Sequence, residues 1–162
     1  MSMIVLLLQK IWQNAFMKKI NEYRKLLNVD KSVALKELKT IYRNSMKECH
    51  PDKFHDDPDG QTDAEIKSKQ VIEAYHFLVS INPETISQVK PHFDKTVAAA
   101  TLTDYQYEAG RLQISFSDGS VYEHISVPKA TYIKMINADS PGRFFKRHIV
   151  NAFPFRQVAA QE

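Results

Sequence analysis

The chain has 162 residues, 43% of them hydrophobic, enough for one medium domain or two small ones. Its net charge of +3 is too small to mark nucleic-acid binding by itself, so the placement of charge has to decide. A single cysteine excludes an internal disulfide and with it a disulfide-stapled secreted module, and it fits a reducing, cytoplasmic setting.

The chain opens with MSMIVLLLQKIWQNAF. The apolar run is far short of the roughly 20 residues that span a bilayer. No basic region precedes it and no small-residue cleavage site follows, which speaks against a secretory signal. Ile4, Leu7, Leu8, Ile11, Trp12 and Phe16 recur at helical spacing, so residues 1–18 are expected to form an amphipathic helix. It should pack on its own protein. Lys10, Lys18 and Lys19 leave weak membrane-surface contact open, without integral insertion.

A short helix is expected over KKINEYRKLLNV, with Ile20, Tyr23, Leu26 and Leu27 inward. The clearest helix is VALKELKTIYRNSMKEC. Leu35, Leu38, Ile41, Tyr42, Met46 and Cys49 fall on one side, and Lys36, Lys39, Arg43 and Lys47 make a basic stripe on the other. Pro51 ends it by biasing His50 out of the helical region. A polar loop, DKFHDDPDGQ, follows; Thr62 and Glu65 of TDAE then form a capping box for a long helix carrying Ile66, Ile72, Tyr75, Leu78 and Val79 inward.

KPHFDKTVAAAT is expected to be a linker, set at residues 94–100 between residues 19–93 and 101–158. TLTDYQYEAG predicts a strand, and RLQISFSDGSVYEHISV predicts a hairpin around Asp118-Gly119. Pro128 opens a helix, and Ser140 caps another that starts at Pro141. The expected fold is α+β: an all-α antiparallel helical hairpin, then a small module of three antiparallel strands and two helices.

The stretch KECHPDKFHDD crowds potential ligands. His50, Asp52, His55, Asp56 and Asp57 are suitable donor types, but they lie in a loop broken by Pro51, Pro58 and Gly60 rather than on a fixed scaffold, so no metal or other cofactor is expected. Cys49 falls on the apolar side of its helix and reads as a buried, inert thiol. No triad, phosphate loop or paired-carboxylate site is evident, so no catalytic residue is expected and the chain reads as a binding protein rather than an enzyme.

His50-Pro51-Asp52, after a basic helix and before a long one, resembles the J-domain of DnaJ-type co-chaperones. YRKLLNV, ELKTIYRN, HPDK and IEAYHFL match its first three helices and loop, over about residues 20–80. Leu27-Asn28-Val29 stands where Leu-Gly-Val is common, Ser45 and Met46 exchange large and small residues, and Lys69 replaces an apolar residue. The resemblance implies contact with a heat-shock-70 (DnaK-type) ATPase through His50, Pro51 and Asp52, with Lys36, Lys39, Arg43 and Lys47 facing an acidic partner surface. No Gly/Phe-rich segment or Cys-rich zinc module follows, which sets aside a general holdase role.

The segment SVYEHISVPKATYIKMINADSPGRFFKRHI resembles the bacterial KTSC domain, over about residues 96–156. The family's Tyr-x-Tyr is Tyr122-Glu123-His124 here. The association with lysyl-tRNA synthetases implies recruitment of RNA, a ribonucleoprotein or another client. The candidate residues are Tyr122 and His124, which share a sheet face, and Ser140, Gly142, Arg143, Lys146 and Arg147 at the last helix. Against RNA, residues 101–162 carry seven Lys/Arg and six Asp/Glu, a net of +1. The alternative to a co-chaperone is an RNA- or tRNA-associated protein whose J-like half is mainly a scaffold.

Overall fold

The computed structural model describes residues 3–158, with side chains throughout except at 4–9, 11 and 12. The chain divides into two compact units, residues 1–79 and 80–162.

The first unit is helical. One helix, α1 (Met3–Leu27), runs through both segments expected as separate helices. No proline or glycine interrupts it, so nothing in the chain opposes continuation. The expected inward residues Ile4, Leu7, Leu8, Ile11 and Trp12 lie outside the described side chains. Phe16 and Tyr23 lay their rings against Phe77, and the Tyr23 hydroxyl donates to Glu73 at 2.8 Å. The helix ends in a Schellman motif: Val29 N–H reaches the Arg24 carbonyl and Asn28 N–H that of Lys25. Asn28 sits at φ 54°, a conformation glycine takes freely and asparagine tolerates. Asparagine in the place of the usual glycine is therefore a conservative change of helix cap.

Helix α2 (Leu35–Cys49) buries Leu38 and Cys49, as the 3.6-residue spacing requires. A 3-10 turn (Pro51–Phe54) leads to α3 (Pro58–Ile81). Tyr42 stacks on Tyr75 with ring centroids 4.1 Å apart, tying α2 to α3. Three expectations change here. Helix α3 begins a turn before Thr62, with Pro58 first and the Asp57 carboxylate accepting from Gly60 N–H. Thr62 is inside the helix, its hydroxyl bonded back to the Pro58 carbonyl, so the capping box does not form. Its buried line is Ala64, Ser68, Val71, Ala74 and Leu78 with Phe77; Ile66 is 54% exposed and, on α1, Leu26 is 40% exposed. A helix has one inward stripe, and neither residue is on it.

The second unit is a four-stranded antiparallel meander: β1 (Leu102–Glu108), β2 (Arg111–Phe116), β3 (Val121–His124) and β4 (Phe155–Val158). Ala109 and Gly110, both at positive φ, turn β1 into β2, and Gly119 at φ 83° turns β2 into β3. Helices α4 (Pro83–Ala99), α5 (Lys129–Ile136) and α6 (Pro141–His148) complete it. Alternation in β2 turns Leu112, Ile114 and Phe116 into a core shared with Phe93, Tyr122, Met135, Phe145 and Ile149.

The unit is α+β, with a fourth strand beyond the three expected. FRQV is too short to show a period, and its pairing with β3 lies about thirty residues back in sequence. The expected linker is also overturned: residues 94–99 belong to α4. Pro91 removes one hydrogen bond inside this helix, but Phe93 and Thr96 are buried and Val89 and Val97 pack on the core. Pro128 stands one residue before α5, as its cap position.

Candidate functional site

The tip between α2 and α3 is built by Pro51. His50 leaves the helix at φ −68° and ψ 130°, the extended conformation forced on a residue before proline. Asp52 then falls in the first turn of the 3-10 segment. His50 Nδ1 lies 3.3 Å from Asp52 N and 3.4 Å from Asp52 Oδ2. A single ring nitrogen serves one of these at a time: unprotonated it accepts from the backbone, protonated it faces the carboxylate. Both contacts are long, so the two side chains are paired loosely and remain available to a partner. Their side chains are 50% and 77% exposed, which keeps both in water.

Lys36, Lys39, Arg43 and Lys47 are all exposed on α2, at steps of three and four residues that lead toward His50. None has a carboxylate within ion-pair distance among the described residues. Opposite them, burial raises the Tyr75 hydroxyl above the usual tyrosine range. The helix is thus anchored by its aromatic side and leaves four uncompensated cations in line with an exposed histidine and aspartate. That arrangement can dock an acidic surface and direct one polar contact at its end. His55 and Asp56 stay exposed and uninvolved, while Asp57 caps α3.

The family model of the DnaJ domain matches residues 22–86, which contain this tip and its stripe. That of the KTSC domain matches residues 99–153. The chain joins a DnaJ domain to a KTSC domain. Curated relatives match the first part. The "Chaperone protein DnaJ" of Fusobacterium nucleatum subsp. nucleatum is 36% identical over 80 residues, 49% of this chain and 19% of that protein. Its counterpart in Fusobacterium nucleatum subsp. polymorphum is 40% identical over 58 residues, 35% of this chain and 15% of that one. The "DnaJ homolog shv" of Drosophila melanogaster is 49% identical over 41 residues, 25% of this chain and 12% of that one. The chain spans less than a fifth of the length of each of these.

The KTSC domain places its expected residues unevenly. Tyr122 and His124 do share a sheet face, but it is the face the helices cover, and both are 0% exposed. Phe93 of α4 packs on Tyr122 and His124 and stacks on Phe155 at 3.9 Å. Base stacking needs an open ring face, so these two residues do not form the platform that the sequence suggested. His124 has no well-formed hydrogen bond at either ring nitrogen, and burial drives its pKa from about 6.5 down to about 4 against a weak opposing contact with the Phe153 backbone. Ser140 caps α6 by accepting from Arg143 N–H at 3.4 Å, and Gly142 is half-buried in its first turn. Arg143, Lys146 and Arg147 are exposed together on that helix.

Two features escaped sequence reading. Glu123 is nearly buried on the other sheet face, held by Arg111 at 2.5 Å and Arg156 at 2.9 Å. Despite burial, these two arginines keep its carboxyl below the usual range. Arg156 comes from β4, the strand that was not expected. The other is a pair of polar contacts, His92 Nδ1 with the Tyr122 hydroxyl and the Thr96 hydroxyl donating to Asp118. Thr96 and Asp118 are 22 residues apart in sequence, so no local spacing signals it. No helix among the described residues is long and apolar enough to cross a membrane.

Proposed function

We propose that this protein is a cytoplasmic J-domain co-chaperone that binds a heat-shock-70 (DnaK-type) ATPase and stimulates its ATP hydrolysis. His50, Pro51 and Asp52 make the directed contact; Lys36, Lys39, Arg43 and Lys47 orient the approach to an acidic partner. The observation that carries this reading is the exposed His50-Asp52 pair at the end of an unpaired basic line, inside a matched DnaJ domain. A solvated basic face alone would not imply a partner. The contact residues form no catalytic constellation of their own, so the chain acts by binding.

Residues 80–162 act as the recruiting element. A nucleic acid would find no open ring at Tyr122 or His124, leaving only the Arg143, Lys146 and Arg147 line, so a polypeptide client is better supported than RNA. The test is steady-state ATPase stimulation of the host's own heat-shock-70 chaperone. His50→Gln is expected to abolish stimulation while leaving the fold intact, since the side chain is half-exposed and its one cap contact is long. Stimulation by the variant equal to that of the wild type would refute the assignment.

A further inference from the structure

The sheet of residues 80–162 has β1 and β4 as its outer strands, and β1 is the longer. Glu108 pairs with Arg111 across the tight turn at Ala109-Gly110, where both residues have positive φ. Such a turn closes on a hydrogen-bonded pair, so Glu108, Gln106 and Asp104 direct their N–H and C=O groups at β2. Ser117 N–H donates to the Thr101 carbonyl, which keeps the same phase past the irregularity between Leu102 and Asp104. Tyr105 and Tyr107 are the alternate residues and turn their N–H and C=O groups away from the sheet. Among the described residues no hydrogen bond reaches those backbone groups.

The two sides of this edge differ. On the helix side, Tyr105 and Tyr107 pack on Tyr132 of α5, with ring centroids 6.4 and 4.7 Å away, and all three are half-buried. Ile136, one turn beyond Tyr132, is exposed, and so is Ile133. On the opposite side Asp104, Gln106 and Glu108 are exposed, and neither carboxylate has an ion-pair or hydrogen-bond partner among the described residues. Cross-strand neighbours point to the same face of a sheet. A strand laid against β1 would therefore set the residues opposite Tyr105 and Tyr107 on the apolar side, and those opposite Asp104 and Glu108 on the acidic side.

We propose that β1 accepts an extended segment of a client polypeptide as an added strand, one in which apolar residues alternate with lysine or arginine. Main-chain bonds to Tyr105 and Tyr107 supply the attachment, and the alternation supplies the selectivity. A second copy of this chain fits badly. Antiparallel pairing of Tyr105 in one copy with Tyr107 in the next sets Asp104 opposite Glu108, and like charges directly opposite repel. The carboxylates that keep copies apart thus select a basic strand. A nucleic acid meets the same repulsion. The proposal rests on the reading of residues 80–162 as the recruiting element and names its surface.

The test is an amide NMR titration of the full chain with a short capped peptide of alternating valine and lysine. Two further probes are the same peptide with glutamate for lysine, and the lysine peptide with its main-chain amides N-methylated. Saturable shifts centred on Tyr105 and Tyr107, with slowed exchange of their amide protons, are expected from the lysine peptide at roughly millimolar affinity, since a flexible segment loses its freedom on binding. The glutamate and N-methylated peptides should each bind about tenfold more weakly. Asp104→Lys with Glu108→Lys, both at exposed positions, should reverse the preference between the lysine and glutamate peptides. Equal binding of those two peptides, undiminished binding of the N-methylated one, or dimerisation of the free chain through β1 would overturn the proposal. Absence of saturable shifts, or shifts on another surface of residues 80–162, overturns the β1 assignment alone; shifts confined to residues 1–79 overturn the recruiting reading with it. His50→Gln should bind the lysine peptide like the wild type, and the double lysine variant should stimulate the ATPase normally, so the α2 contact and the β1 edge fail separately.

Discussion

Reversing two charges of the α2 stripe, Lys39→Glu with Arg43→Glu, tests whether the four cations steer docking. Both side chains are exposed and unpaired, so the change acts on the partner rather than on the fold. At about 7 Å through water, a unit charge pair is worth about 0.6 kcal/mol. Reversal alters each pair by twice that, giving about 2.4 kcal/mol for two positions, or about 60-fold at low salt. At 0.15 M salt, a screening length of about 8 Å leaves about 1 kcal/mol, or roughly 5-fold. On the helix itself, the pairs of position 39 with Lys36 and of position 43 with Lys47 turn from repulsive to attractive while the 39–43 pair stays repulsive, so α2 should gain a few tenths of a kcal/mol per converted pair and the variant should melt no lower than the wild type. The assay is ATPase stimulation at several co-chaperone concentrations and salt levels, with thermal unfolding as the control. The half-saturating concentration should rise, and the gap from the wild type should narrow with salt. An unchanged half-saturation, or a loss insensitive to salt with unchanged melting, would refute the electrostatic reasoning.

Phe93→Ala should cost about 3–5 kcal/mol, because it empties a ring that is 1% exposed and stacked on Phe155; denaturant unfolding of the KTSC unit measures it. Asn28→Gly should stabilise the chain slightly and Asn28→Val should destabilise it by about 1–2 kcal/mol, because residue 28 sits at positive φ; thermal melts give the sign of both. Between its ordinary pKa near 6.5 and about 4 in the fold, His124 binds a proton when unfolded but not when folded. Stability should therefore rise with pH across that window, by up to about 3 kcal/mol, and His124→Phe should flatten the profile. An unchanged slope in the variant would assign the acid loss to other groups.

The helical half was largely legible because its signals are local. The α2 stripe, the break at Pro51 and the burial of Leu38 and Cys49 all follow from spacing within one or two turns. The same locality explains the errors. Ile66 and Leu26 are apolar residues beside the inward stripe, and only packing tells which of two neighbouring positions is covered. Thr62 and Glu65 have the chemistry of a cap, but Asp57 and Pro58 offer one a turn earlier, and the helix extends to the better start.

In the KTSC half, the turns were legible from Gly110 and Asp118-Gly119, since positive φ strongly restricts residue choice. The alternation of Leu112, Ile114 and Phe116 likewise set the inner face of β2. What spacing does not reveal is which element covers that face. A proline-containing stretch read as a linker is a helix because Phe93 has an aromatic floor to bury against.

Elements whose causes lie within a few residues can be read from the chain order: helix periodicity, the proline-forced tip at His50-Pro51-Asp52, the hairpin turns and the basic line of α2. Tertiary structure alone decided what depends on partners tens of residues away. It closed α4 over Tyr122 and His124, added β4 at the sheet edge, set Glu123 between two arginines, and brought His92 to the Tyr122 hydroxyl and Thr96 to Asp118. Burial and hydrogen-bond partnership are properties of the packed whole, so the side chains that look most reactive in sequence can be the most thoroughly enclosed.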